Sequence, residues 1–181
     1  MACSVVLGID PGAHGAVAIL SSTGELLAVE DMPNTPEASG RVATNAALLA
    51  GIIANPLRTH NDHAQVERIF CEFVGARPTD GSIQAFAFGR ARGVIEGIAG
   101  AFDIPIVFVT PPTWKRLAGV PAGKEHKDVA RTRAIARWPA HAQLFARKCD
   151  VDRAEAGLIG VAGLERIEMG GRRGDGHVRS S

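Results

Sequence analysis

The stretch VVLGIDPGAHGAVAIL, Val5 to Leu20, sets two apolar runs on either side of an Asp-Pro-Gly sequence. Both runs are short and bounded by turn residues, which predicts strands over 4–10 and 16–20 joined at Pro11-Gly12. A third strand over 25–31 follows the turn Ser22-Thr23-Gly24, so the first thirty residues predict an antiparallel meander. Asp10 has two readings here. Asp-Pro-Gly is an ordinary turn sequence, and an aspartate that ends a buried strand is also suited to an active site.

Outward from the meander, the pattern alternates. MPNTPEASGR (32–41) reads as a loop by its prolines, and ATNAALLAGIIANPLRTH (43–60) as a helix ending near Asn55-Pro56. ERIFCEF (67–73) reads as a short strand, and from Ile69 onward it is apolar on both faces apart from Glu72, as a strand inside a sheet should be. After the polar loop GARPTDG come a helix over 83–102 and the buried strand IPIVFVT (104–110). The prolines of PPTWKRLAG suit a helix start, KEHKDVARTRAIARW (124–138) reads as another helix, and a last helix runs over 152–167. Three strands, helix, strand, helix, strand and then helices predict an α/β domain, a mixed sheet with helices on both faces. Residues 1–167 read as that domain. Residues 168–181, ending GGRRGDGHVRSS, lack apolar periodicity and read as a disordered tail.

At 181 residues the chain is long enough for one hydrophobic core and short for two domains. No run approaches the roughly 20 apolar residues of a spanning helix, and the N-terminus lacks a secretory pattern, so a cytoplasmic protein is expected. Cys3, Cys71 and Cys149 are far apart and form no C-x-x-C pair, which points to reduced thiols. His60-x-x-His63 has no further ligands to complete a structural zinc site. The net charge of +1 conceals a basic segment: Lys115, Arg116, Lys124, Lys127, Arg131, Arg133, Arg137, Arg147 and Lys148 face only Glu125 and Asp128.

Four acidic residues, at three places in the chain, stand out. Asp10 ends the first strand, Glu72 interrupts a buried run, and Asp152 and Glu155 open the last helix three residues apart, on one face. Asp152-x-x-Glu155 also has the spacing of a capping box, and capping does not exclude a second role. Glu72 lacks such an alternative, because an acid between Cys71 and Phe73 needs a partner or an edge. Carboxylates gathered from separate elements repel one another unless cations neutralise them, and hard divalent cations with oxygen ligands do so.

In order and spacing, GIDPGAHGA, CEFV, AFAFGRARGVIEG, PTWKRLAG with KEHKDVAR, and DRAEAGLIG resemble the RuvC family of Holliday-junction resolvases over residues 4 to 167. The resemblance implies an RNase H-like fold with a mixed five-stranded sheet. It implies a crossover junction endodeoxyribonuclease whose metal-binding and catalytic carboxylates are Asp10, Glu72, Asp152 and Glu155. The family usually has Asp at the last of these, so Glu155 is one methylene longer; Asp150 is the alternative to Asp152. Two Mg²⁺ per active site, with Mn²⁺ as a substitute, would promote hydrolysis of a phosphodiester in branched DNA, in a homodimer that pairs two sites.

Lys115 and Lys127 align with DNA-contacting lysines of that family, and Lys124, Lys127 and Arg131 share one helical side, so these four are the expected phosphate-binding residues. The family's stacking aromatic follows the second acid by a few residues. Here Gly75 holds the third position after Glu72, and strand alternation assigns Phe73 to the core. Gly89, Gly93 and Gly97 mark a helix face open to another backbone, either this chain's own sheet or, as the resemblance implies, a second copy. Two other classes compete: an actin-like ATPase domain, which also uses Asp-x-Gly after a first strand but needs further phosphate loops, and a noncatalytic DNA-binding protein of the same fold.

Overall fold

The computed structural model describes residues 3–38, 40–57, 64–75, 81–121, 123 and 127–174. β1 (Cys3–Asp10), β2 (Ala16–Ser21) and β3 (Leu26–Asp31) form the antiparallel meander that the opening stretch predicts. Two short strands follow, β4 (Asn34–Pro36) and β5 (Val42–Thr44), paired as a separate hairpin where the sequence reads as a loop and the first residues of a helix. α1 (Ala46–Ala54) is shorter than expected because Asn45 caps it: its Oδ1 accepts the Leu48 N–H at 3.0 Å.

β6 (Ala64–Glu72) runs parallel to β1, α2 (Ser82–Ala101) crosses over, and β7 (Ile106–Val109) lies parallel to β6. The result is one five-stranded mixed sheet in the order β3-β2-β1-β6-β7. α3 (Pro111–Leu117), α4 (Lys127–Arg137), two 3-10 segments at Pro139–Phe145 and Lys148–Asp150, and α5 (Val151–Gly174) complete the chain. α5 is helical well past residue 167, into the segment read as tail. Once its buried turns are packed, each further residue adds a hydrogen bond without a new nucleation cost. Residues 175–181 lie outside the described residues.

Strand alternation sorts the core into two layers. Val5, Leu7 and Ile9 of β1 with Val17 and Ile19 of β2 pack against Leu49, Ile52 and Ile53 of α1 and Ile95 of α2. Val6, Ala18 and Leu20 point the other way, toward Ile159 and Ala162 of α5. On β6, the register with β1 shifts between Val5 and Val6, so that Val5 pairs with Val66 and Val6 with Arg68. The extra residue is Glu67, and it changes which side chains face which layer. Phe70 therefore joins the α5 layer, and Glu72, two residues on, shares its side of the strand.

Candidate metal centre

Asp10 and Glu72 end neighbouring parallel strands, and the last register pair before them is Ile9 with Cys71. In an open α/β sheet that end of the strands is where ligands bind. α5 is set against it by backbone contact. A Cβ on Gly8 would lie 2.1 Å from the Ala156 carbonyl oxygen, and one on Gly160 would lie 3.2 Å from the Gly8 Cα. Strand and helix thus touch without an intervening side chain, about one turn below Asp152 and Glu155. Asp10, Asp152 and Glu155 each bring a carboxylate oxygen within 4.8 Å of the others.

The turn after Asp10 serves the same end. Asp10 Oδ1 accepts the Gly12 N–H at 3.3 Å, and the Gly15 N–H closes the loop onto the Gly12 carbonyl at 2.9 Å. Both readings of Asp10 therefore hold together: Pro11-Gly12 turns the chain while the carboxylate faces α5. Asp10 is 8% exposed. Its pKa is held well above the ordinary aspartate value, first by burial and then by the charges of Glu72, Glu155 and Asp152; the Gly12 N–H opposes the shift.

Asp152 lies inside the first turn of α5 rather than at its cap. The capping box lies just upstream, where Asp150 Oδ2 accepts the Arg147 N–H at 2.8 Å and Asp150 Oδ1 accepts Arg147 Nη2 at 2.7 Å. The Arg147 bond and charge lower the pKa of this buried aspartate. Of the two aspartates the sequence offers, Asp150 is thus held in an ion pair and Asp152 stands in the cluster. Glu72 is absent from the tight trio, yet its charge acts on Asp10, and its Oε1 accepts the indole N–H of Trp114 at 2.7 Å. That bond supplies the partner which a partly buried acid requires, and an indole-bearing PTWK sequence beside an acidic strand end was a signal that sequence reasoning passed over.

A cleft of about 370 Å³ adjoins the trio, with Ala13, His14, Asp31, Arg147 and Asp152 among its walls. A partly buried, mutually repelling set of hard oxygen donors fits a divalent cation of the magnesium or manganese kind, which takes oxygen ligands and offsets negative charge. Asp10, Asp152 and Glu155 would hold it, with Glu72 beside them.

The basic residues fall apart. Lys115 is half-buried, its Nζ 5.2 Å from the Trp114 ring centroid. Lys124, and the side chain of Lys127, lie outside the described residues, as does His60-x-x-His63. Arg131 is turned inward: Nε donates to the Phe145 carbonyl at 2.9 Å, Nη2 to the Ala146 carbonyl at 2.6 Å and Nη1 to Asp128 at 2.9 Å. Phe73 corrects the expectation from alternation. It is 41% exposed, because the sheet ends at Glu72, and its ring meets Phe108 edge-on at 6.2 Å, with the Arg92 guanidinium 5.1 Å from its centroid. Gly89, Gly93 and Gly97 are exposed on α2, and a Cβ on any of them would meet no described atom within 4 Å. Packing of this stripe on the chain's own sheet is thereby excluded. Among the described residues no helix is long and apolar enough to cross a membrane.

No protein-family model and no curated protein matches the sequence. Solved structures do. That of T. thermophilus RuvC in complex with a Holliday junction substrate matches with a TM-score of 0.62 at 17% identity, over 92% of this chain and 96% of that one. A Thermus thermophilus RuvC structure matches over the same shares, with a TM-score of 0.56 at 19% identity. The chain has the RuvC fold, the mixed five-stranded, helix-flanked sheet of the RNase H-like class.

Proposed function

We propose that this protein is a metal-dependent endonuclease that cuts branched DNA, foremost four-way junctions, by hydrolysis of a phosphodiester. The observation that carries the reading is the trio of Asp10, Asp152 and Glu155, gathered within 4.8 Å at the strand ends of a RuvC fold. The first of the matched RuvC structures holds a Holliday junction substrate, which supports the same substrate class here.

Bound Mg²⁺ ions would neutralise the cluster, activate a water and stabilise the leaving oxygen. The chain's own part is to hold oxygen donors in place. Asp10 is fixed by its strand, by the Gly12 N–H and by burial; Asp152 and Glu155 by the close seating of α5; Glu72 by β6 and Trp114. Lys115, Lys124 and Lys127 are the proposed phosphate contacts, which orient DNA without reading its sequence. Arg131 has its donors on carbonyls and Asp128, so its contribution is to brace the basic helix. Phe73, exposed next to Glu72, is the aromatic that takes the stacking role Gly75 cannot. A homodimer, formed across the open glycine face of α2 beside exposed Ile83 and Phe86, would pair two sites for two cuts.

The test incubates the protein with Mg²⁺ and a synthetic four-way junction, beside linear duplex, and compares wild type with Asp10→Asn. Paired symmetric nicks that the substitution abolishes support a resolvase. Junction binding without cutting under Mg²⁺ and Mn²⁺ would instead make the protein a noncatalytic scaffold, and ATP hydrolysis without nicking would make it an ATPase.

A further inference from the structure

We infer that Trp114 is a positioning residue for Glu72, setting the carboxylate through its indole N–H; the inference rests on the metal-dependent reading of the site. Trp114 is fully buried, and its Nε1 donates to Glu72 Oε1 at 2.7 Å. A buried indole N–H needs an acceptor. The other tryptophan meets that need with a backbone carbonyl, Trp138 Nε1 donating to Gly24 O at 3.1 Å. Trp114 spends its donor on an acidic side chain at the site, and a hydrogen bond to a charged acceptor is both shorter and stronger than a neutral one.

The path between the two residues is short and stiff. Glu72 pairs with Val109 in the β6–β7 register, and the Phe73 N–H donates to the Val109 carbonyl at 2.8 Å. Pro111 then starts α3 directly, and the Trp114 N–H donates to the Thr110 carbonyl at 3.1 Å. The indole is therefore fixed by the same strand that fixes the glutamate, and the bond sets the plane in which the carboxylate lies. Asp10, Asp152 and Glu155 form the tight group, while Glu72 is held apart from it at the end of β6. Lys115 extends the link, its Nζ 5.2 Å from the same indole ring, so one side chain ties a proposed phosphate contact to a proposed metal ligand.

Groups that orient a metal ligand change affinity by roughly 10- to 100-fold when removed. The experiment replaces Trp114 with phenylalanine and, as an isosteric substitute without the N–H, with benzothienylalanine. Mg²⁺ binding to the DNA-free protein is followed by calorimetry, junction affinity is measured in Ca²⁺, and the indole N–H signals are followed by ¹H–¹⁵N NMR. Both variants are expected to need about 10-fold more Mg²⁺ for half-saturation and for cleavage, and the benzothienylalanine protein, which keeps the bicyclic ring beside Lys115, to retain its junction affinity. Glu72→Gln should shift the Trp114 N–H signal and leave that of Trp138 in place. If the phenylalanine variant fails to fold, the benzothienylalanine protein alone decides. Unchanged Mg²⁺ affinity in a protein that cuts junctions overturns the inference and spares the nuclease. Mg²⁺ affinity that depends on the Trp114 N–H, in a protein that cuts no DNA, upholds the inference and overturns the nuclease. A Trp114 signal indifferent to Glu72→Gln overturns the inference outright.

Discussion

Two glycine-bearing helices flank this sheet, and their glycines do opposite things. On α5, a Cβ at Gly157, Gly160 or Gly163 would come within 3 Å of Trp138, Leu20 or Phe70. On α2, a Cβ at Gly89, Gly93, Gly97 or Gly100 would meet nothing among the described residues. Gly160 meets the backbone of Gly8, while Gly157 and Gly163 make room for the Trp138 and Phe70 rings, and this close seating sets the height at which Asp152 and Glu155 stand beside Asp10. The α2 glycines give up helix propensity for no contact among the described residues. One face is closed to build a site, and the other is left open at a cost.

The largest effect expected from breaking the closed face is Gly8→Val. The clash is with the backbone of α5, with the Ala156 oxygen at 2.1 Å and the Gly160 nitrogen at 2.7 Å, so neither partner has a rotamer to move. Overpacking against backbone should cost at least about 3 kcal/mol. Urea denaturation should show a lowered midpoint, and the site should lose Mg²⁺ binding with it. An unchanged midpoint would mean that α5 is not seated by this contact.

Asp10→Asn sharpens the comparison, because it removes a function of the closed face without loosening its packing. Cleavage should fall by about a thousandfold or more, as a bound cation contributes several kcal/mol to phosphoryl chemistry. The metal-free protein should become more stable, since burial and three neighbouring acids all disfavour the Asp10 charge. Activity and melting temperature, measured on one preparation without and with Mg²⁺, test both signs. A fall in apo stability would mean that Asp10 is held by partners rather than repelled.

Much of this was legible in the residues. Val5 to Leu20 predicts the meander because its runs are short, β-rich and split by Pro11-Gly12, and those local preferences agree with the fold. Of the four carboxylates only Glu72 was awkward as a structural residue; Asp10 had a turn role and Asp152 with Glu155 a capping role, and the set came from the resemblance in order and spacing. The β4–β5 hairpin could not be picked out, since three-residue strands among prolines carry no period. Nor could the fate of Phe73, because alternation assumes the strand continues, and it stops at Glu72. Asp152 was preferred to Asp150 for its spacing to Glu155, but that Arg147 takes Asp150 through a 3-10 turn is something no helical spacing predicts.

A smaller effect comes from the ion pairs that fasten α5. Arg153 donates from Nε and Nη2 to the two oxygens of Asp31 on β3, at 2.5 and 2.7 Å, and this bond lowers the Asp31 pKa, as Arg147 does that of Asp150. A lowered carboxylate pKa adds stability that is complete above the unfolded value, about pH 4, and lost as pH falls through the folded one. Asp10 acts oppositely: its raised pKa means that the folded protein takes up the proton first, so acidification toward pH 4 stabilises it. The melting temperature of the metal-free protein should therefore rise and then fall as pH drops. Asp10→Asn should remove the rise. Asp31→Asn should soften the fall by up to about 1 kcal/mol, because the Asp31 carboxylate is largely exposed and its charge is screened.

The smallest effect belongs to the open face. Gly93→Ala adds a methyl where no described atom lies within 4 Å, in the interior of a helix that runs from Ser82 to Ala101. Within one chain the change should be stabilising by about 0.5–1 kcal/mol, since alanine loses less backbone entropy than glycine. In a pair of chains whose α2 helices approach along the glycines, the same methyl sits between backbones and weakens the association. The two consequences have opposite signs and separate with concentration. Thermal melting at low protein concentration reports the gain, and sedimentation equilibrium at high concentration reports the loss. A variant that melts higher and associates as strongly as wild type would place any second copy away from the glycines of α2.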